Sequence, residues 1–321
     1  MKKPILTLVV EKPSASALFA PVAARLWPEH TIYFVYTMYI GVYEFKYPRG
    51  LSLADFPFVG EPSWKRREDF HWPVHTVDRQ GNRALAPVFM DEALHQAETI
   101  IFAGDPDGAG AVAYHRLLTE VLGPEAANQA RPAASLYSWA ECDVERAFTQ
   151  LSSTADDWFQ RILAQGQARR YFDFNYNTNA LAIHGAALRA TGSVPEGFLL
   201  SKYALQLLYF LRDKPCSTGA AVQLLMNRKM GSAASRCAII DRLKEVGLVE
   251  PLPGRAALAV SPRGHALLAS LHPDCQDPHF GERYARWQDA WPASKPAIDR
   301  YLRTFFGKQK RFARKLAKDA V

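Results

Sequence analysis

Over the first 140 residues, apolar runs alternate with stretches of helical spacing. Ile5 to Val10 is apolar except for Thr7 and reads as a buried strand. Glu11-Lys12-Pro13-Ser14 follows. Pro13 and Ser14 suit a helix start, and the spacing from Ala15 to Leu26 predicts that helix. His30 to Tyr36 reads as a second strand, and the Pro- and Gly-rich stretch Gly50 to Lys65 as an irregular crossing. Ala86 to Glu98 has helical spacing, with Val88, Met90, Leu94 and Ala97 on one face. Thr99 to Ala103 is a further strand, and Val112 to Val121 a further helix. Such alternation predicts an α/β unit, a mainly parallel sheet with helices on both faces.

The second half changes character. Ser201 to Leu211 is apolar at helical spacing. A helix is predicted over Gly219 to Asn227, a turn at Gly231-Ser232, and a helix over Ser232 to Val246 that Gly247 ends. Leu248 to Leu252 and Ala256 to Val260 flank Pro253-Gly254-Arg255 as a two-strand wing. Helix-turn-helix plus hairpin is a winged-helix pattern, so a mostly α domain follows the α/β one. The expected division is 1–150, 151–300 and a basic tail, 301–321.

The chain has 321 residues, 48% of them hydrophobic and 22% charged, which indicates a globular protein. No run is long enough to span a membrane, and Glu11 and Lys12 interrupt the apolar N-terminal stretch too early for a signal peptide. The four cysteines lie far apart without a Cys-x-x-Cys, which argues against a zinc ribbon or a disulfide framework; a cytoplasmic location is expected. A net charge of +7 favours a polyanionic partner, most commonly nucleic acid.

Candidate chemistry sits at strand ends. Glu11 and Lys12 follow the first strand; Asp105 and Asp107 lie in Gly104-Asp105-Pro106-Asp107-Gly108-Ala109-Gly110 after the later one. Paired carboxylates repel, and a hard cation such as Mg2+ relieves them; Asp-Pro-Asp-Gly is equally an ordinary turn sequence. Arg169 and Arg170 beside Tyr171, Phe172, Phe174 and Tyr176 suit phosphate contacts with base stacking, or else a helix with an aromatic core face and solvated arginines. In the tail, Lys310, Arg311, Arg314 and Lys315 suit a phosphate-binding helix or a solvated, fraying terminus.

Val9-Val10-Glu11-Lys12-Pro13-Ser14 and Ala103-Gly104-Asp105-Pro106-Asp107 resemble the two signatures of the Toprim domain of type IA DNA topoisomerases, topoisomerase III above all. Leu51-Ser52-Leu53-Ala54-Asp55-Phe56-Pro57 resembles a segment between them, and Ser135 to Trp139 with Asp143 to Phe148 resembles the strand and helix that leave that domain. Gln167 to Asn177 resembles the family helix beside the active site. Met230 to Ile240 with Gly247-Leu248-Val249 resembles the family's helix and wing. The resemblance implies Glu11 and Lys12 as catalytic residues and Glu11, Asp105 and Asp107 as ligands of a weakly held Mg2+. It implies nucleic-acid contacts at Arg169, Arg170, Asp173, Lys202, Ser232, Ser235 and Arg236, with DNA rather than RNA as partner.

Two departures stand out. The family's Asp-Pro-Asp-Arg-Glu-Gly-Glu is reduced, with Gly108 in place of the arginine and Ala109 and Ala111 in place of both glutamates. The gate domains and the Tyr-x-Arg-Thr motif, expected between the helix at 201–211 and the segment at 218–260, are missing; Tyr301-Leu302-Arg303-Thr304 fits the letters far out of order. Strand passage by this chain alone is therefore not expected. Three readings remain: a topoisomerase-like DNA-binding protein completed by a protein partner, a Mg2+-dependent Toprim nuclease, and a noncatalytic accessory protein.

Overall fold

A computed structural model describes residues 3–38, 41–68, 73–231 and 233–319. The chain forms two compact units, residues 1–46 with 63–167 and residues 47–62 with 168–321. The boundary thus falls at 167 rather than 150, and residues 301–321 belong to the second unit.

In the first unit β1 (Ile5–Val10) leads through α1 (Pro13–Leu26) to β2 (Thr31–Tyr36). Next come β3 (Tyr43–Phe45) and β4 (Trp64–Arg66), which pair with each other, and the hairpin β5 (His75–Val77) and β6 (Arg83–Leu85). The unit continues through α2 (Met90–His95), β7 (Thr99–Phe102), α3 (Gly108–Leu122), α4 (Pro124–Ala127), β8 (Pro132–Ala133), α5 (Glu141–Thr149) and β9 (Ser152–Ser153), then enters α6 (Asp157–Ala190). The main sheet runs β6-β5-β2-β1-β7-β8-β9. Its four inner strands are parallel and its outer ones antiparallel.

Side-chain alternation builds one core on each face. Ile5, Val9, Tyr33, Val35, Ile100 and Phe102 pack with α2, α3 and the start of α6. Leu6, Leu8, Val10, Ile32, Phe34, Tyr36 and Ile101 pack with α1 and α5. Thr7, buried in the central strand, donates its hydroxyl to the Ala93 carbonyl at 2.9 Å. Two expectations change. The helix over 86–98 contracts to Met90–His95, because the amides of Ala86 and Glu98 donate to the Val74 and Ile5 carbonyls instead of extending the helix. Ser135 to Trp139 is a loop, the strand before it being Pro132–Ala133.

The second unit holds the rest of α6, then α7 (Lys202–Asp213), α8 (Thr218–Asn227), α9 (Ala233–Glu245), the antiparallel pair β10 (Val249–Pro251) and β11 (Leu258–Val260), α10 (Pro262–Ala269), α11 (Phe280–Asp289) and α12 (Lys295–Asp319). Only Lys214 to Ser217 lie between α7 and α8, so no domain is inserted there. The core gathers α6, α7 and α12 around Phe172, Tyr176, Leu205, Leu208, Leu302 and Phe306. Within this unit two buried asparagines of α6 hold an extended segment as a neighbouring strand would. Asn175 accepts from the Gly60 amide at 2.7 Å and donates to the Gly60 carbonyl at 2.9 Å; Asn179 does the same for Phe58 at 2.8 and 2.7 Å. The spacing of four places both amides on one helix face.

Asn175→Ala leaves the Gly60 amide and carbonyl without these partners. A loss of about 2–4 kcal/mol in unfolding free energy is expected by urea denaturation, against less than about 0.5 kcal/mol for Asn82→Ala in an exposed turn.

Candidate functional site

The central strand β1 lies between β2 and β7, all parallel. The chain leaves β1 into α1 on one face of the sheet and leaves β7 into α3 on the other. Neighbouring strands that feed helices on opposite faces diverge at their carboxyl ends, and open α/β sheets bind ligands in that crevice. Glu11 and Lys12 follow β1 directly, and Asp105 follows β7 by three residues. The Glu11 backbone is held by the ladder continuing past the strands: Thr37 donates to the Val10 carbonyl at 3.0 Å, Met38 to that of Glu11 at 2.7 Å, and Ala103 to that of Val9 at 2.9 Å.

The fold thereby brings Glu11, Lys12, Asp105 and Asp107 into electrostatic contact. Glu11 is buried, Asp105 and Lys12 are half-buried, and Asp107 is exposed. Burial raises the Asp105 carboxyl above its ordinary value; a hydrogen bond with Glu11 and the Lys12 charge pull it down, and the Asp107 charge pushes it up. Two carboxyl groups hydrogen-bond to each other only when one carries a proton. Asp107 has a different task. Its Oδ1 accepts from the amides of Ala109 and Gly110 at 2.8 and 2.9 Å, capping α3. Gly110 is required there, since a Cβ would stand 2.2 Å from the Asp105 carbonyl oxygen. Gly166 of α6 meets α3 as closely, its Cβ position 2.0 Å from the Gly108 oxygen.

These groups do not fit the expected three-carboxylate Mg2+ cage. Among the described residues no set of three His, Cys, Asp or Glu side chains is arranged to hold a metal ion. One Asp107 oxygen is engaged in the cap, and burial raises the Asp105 carboxyl beside Glu11.

Sequence reasoning missed a network behind Lys12. Arg83 donates to the Pro13 carbonyl at 2.8 Å and to the Ser16 hydroxyl at 2.7 Å; Ser16 meets the Tyr36 hydroxyl at 2.8 Å, and Tyr36 meets His75 Nδ1 at 2.9 Å. It pins the first turn of α1. Burial, then the Arg83 charge, lowers the His75 pKa. No sequence signal joins residues so far apart; only the β5–β6 hairpin brings Arg83 to α1.

In the second unit several expectations are corrected. Tyr171, Phe172, Phe174 and Tyr176 are core residues, each at most 2% exposed, and so cannot stack on bases. Arg170 donates to Asp173 at 2.7 Å, and Arg169 lies 3.7 Å from the same carboxylate, leaving a half-buried ion cluster on α6. Lys202 is 2% exposed and faces rings instead of phosphate, its Nζ 4.0 Å from the Phe305 centroid and 5.3 Å from that of Phe280. Nζ has no hydrogen-bond partner among the described residues, and burial drives its pKa down to about 7 despite the Asp277 charge. Nearby His184 is wholly buried and pushed down to about 3 by burial, then by Lys202. Tyr301 is half-buried against the core and donates to Asp277 at 2.8 Å, and burial, then the Asp277 charge, raises its pKa, so it is not presented as a nucleophile.

Ser232 lies outside the described residues. Ser235 is half-buried on α9, and Arg236 donates to the carbonyls of Met230 and Gly231 at 3.2 and 3.0 Å, closing the turn before the helix. Lys310 donates to the Phe56 carbonyl at 2.7 Å. The end of α12 is different: Arg311, Arg314 and Lys315 are exposed, with no ion pair among the described residues.

No family model matches this chain, and no curated protein does. Among solved structures, full-length topoisomerase I from Thermotoga maritima is similar with a TM-score of 0.37 and 13% identity, over 65% of this chain and 30% of that one. This chain spans less than a third of that protein, and a likeness of this degree carries no weight beside the geometry. No helix among the described residues is long and apolar enough to cross a membrane.

Two pH effects follow. The Asp105 pKa is raised by folding, so its carboxyl destabilises the fold as pH climbs through the folded value. Asp105→Asn is expected to raise the melting temperature at pH 7.5, with the gain shrinking toward pH 4. Lys202 has the opposite sense: between about 7 and 10.5 the unfolded chain binds more protons than the folded one, so stability rises with pH. Above pH 9 Cys275, raised by burial to about 12, opposes it. Urea unfolding of the wild type at pH 6.5 and 8.5 is expected to show this rise, and Lys202→Met to remove most of it, the rest coming from His184, while stabilising by about 1–4 kcal/mol at pH 6.5.

Proposed function

We propose that this chain is a Toprim-like nucleic-acid-binding protein that holds single-stranded or junction DNA, rather than RNA, without strand passage of its own. The observation that carries this reading is the meeting of Glu11, Lys12 and Asp105 at the carboxyl edge between β1 and β7, beside the starts of α1 and α3. An ammonium group next to helix amino termini suits a phosphate. The carboxyls beside it exclude a second anion unless protonated, which favours a single backbone phosphate over a dense polyanion.

Binding is favoured over cleavage. Asp107 caps a helix, burial raises the Asp105 carboxyl beside Glu11, and the half-buried Tyr301 gives its hydroxyl to Asp277. In the second unit α8, α9, β10 and β11 follow one another as in a winged helix. The exposed charges of α9 are largely paired, Arg242 with Glu245 and Lys244 with Asp241, so this reading assigns phosphate contact to the end of α12 instead. Any strand chemistry then belongs to a protein partner, and Mg2+ enters only as a weak competitor for the carboxyl pair.

The test is anisotropy of a labelled single-stranded oligonucleotide from 50 to 300 mM salt, with Mg2+ or EDTA, and a gel for cut products. Wild type is expected to bind with a steep salt slope and to leave the strand intact. Lys12→Ala is expected to weaken binding about 3- to 10-fold. The triple variant Arg311→Ala/Arg314→Ala/Lys315→Ala is expected to flatten the slope by about 2, as removal of three phosphate contacts on a single strand requires. A slope near zero in the wild type refutes the reading, and Mg2+-dependent cutting lost in Asp105→Ala establishes the nuclease instead.

A further inference from the structure

The aromatic residues of α6 are buried, but another pair is not. After β8 the chain dips Leu136 into the core and turns at Ser138, whose hydroxyl accepts from the Ala140 amide at 3.2 Å. Tyr137 and Trp139, either side of that turn, are 80% and 37% exposed. The Lys12 ammonium lies 5.2 Å from the Trp139 ring centroid, so this loop adjoins the residue to which phosphate contact is assigned. Under Tyr137 a cavity of about 300 Å³ opens between the loop and α5, lined also by Ser135, Ser138, Asp143, Arg146 and Gln150.

Each feature narrows the occupant. The volume is at the lower end of small-molecule sites, near the size of one nucleoside. Hydroxyls, an amide and the Arg146–Asp143 pair supply donors and acceptors, which suits the edge of a heterocycle and not an aliphatic side chain. Asp143 is the only acid in the lining, so a metal ion is not the ligand. Exposed rings beside a cation are what an unpaired base needs for stacking.

We propose that Tyr137, Trp139 and this cavity form a nucleobase subsite beside Lys12. The phosphate part rests on the preceding reading; the base contact is separable from it. A base of a single strand and a free nucleotide share this chemistry, and the experiment distinguishes them.

The full chain is titrated with labelled oligothymidylate, with the same length of abasic strand, and with AMP, followed by anisotropy and tryptophan fluorescence. The proteins are wild type, Tyr137→Ala, Trp139→Phe, Trp139→Ala, and Phe89→Ala as an exposed aromatic elsewhere. Tyr137→Ala and Trp139→Ala are expected to bind oligothymidylate about 10-fold more weakly, the order of one lost base stack, with salt slope unchanged. The abasic strand should bind all five proteins alike. Fluorescence quenching should vanish in both Trp139 variants and persist in Phe89→Ala. Saturable quenching by AMP as well assigns the subsite to free nucleotides; quenching by the strand alone assigns it to strands. Unchanged oligothymidylate binding in Tyr137→Ala and Trp139→Ala overturns the subsite and leaves the phosphate reading standing. A wild type that binds neither strand nor AMP overturns both.

Discussion

Parallel pairing of β1 with β2 on one side and β7 on the other is the constraint on which the first unit depends. β2 ties the central strand through its full register, from Ile5 against Thr31 to Val10 against Tyr36, and β7 ties its middle, from Leu6 against Thr99 to Val9 against Phe102. Apolar residues on both faces then commit α1 and α5 to one side and α2 and α3 to the other. Once those choices are made, the ends of β1 and β7 have no freedom to separate. Two carboxyls that repel in water are held in hydrogen-bonding contact, with the Lys12 charge beside them. The packing of the sheet offsets the repulsion, which is why such a pair marks a site better than it marks a stable turn.

The elements that place this site were legible because their pattern is local. Ile5–Val10 and Thr99–Phe102 are apolar runs bounded by Gly, Pro and charged residues. The order of α8, α9 and the hairpin after it follows from periodicity ended at Gly247. What failed was orientation. Tyr171, Phe172, Phe174 and Tyr176 cover more than half of the circumference of α6, with the half-buried Arg170, Asp173 and Asn177 on the rest, and sequence alone cannot tell such a buried aromatic face from an exposed stacking one. Lys202 opens α7 after Ser201 as a lone charge would on a surface, but rings from α11 and α12, Phe280 and Phe305, lie over its ammonium. Arg236 and Lys310 point to backbone carbonyls that no charge pattern discloses.

The exposed groups were harder to read than the buried ones. Tyr137 and Trp139 sit in a stretch that the family resemblance implies to be a strand, and a strand would turn both to one face. The turn at Ser138 with Leu136 as its anchor sends them into solvent instead. Lys12 connects the acidic crevice to this loop, so under the proposed reading phosphate and base are addressed from one edge of one sheet. On the proposed reading, affinity comes from several modest contacts, and the exposed charges at the end of α12 contribute a part that fades with salt.

Amide hydrogen exchange of the full chain, with and without a saturating single-stranded oligonucleotide, addresses this arrangement most directly. New protection should concentrate at Glu11 to Ala15, Gly104 to Gly110 and Leu136 to Ala140, the three segments that meet at the carboxyl edge of the sheet. Protection confined to Thr218 to Val260, or no change anywhere in the first unit, would contradict it.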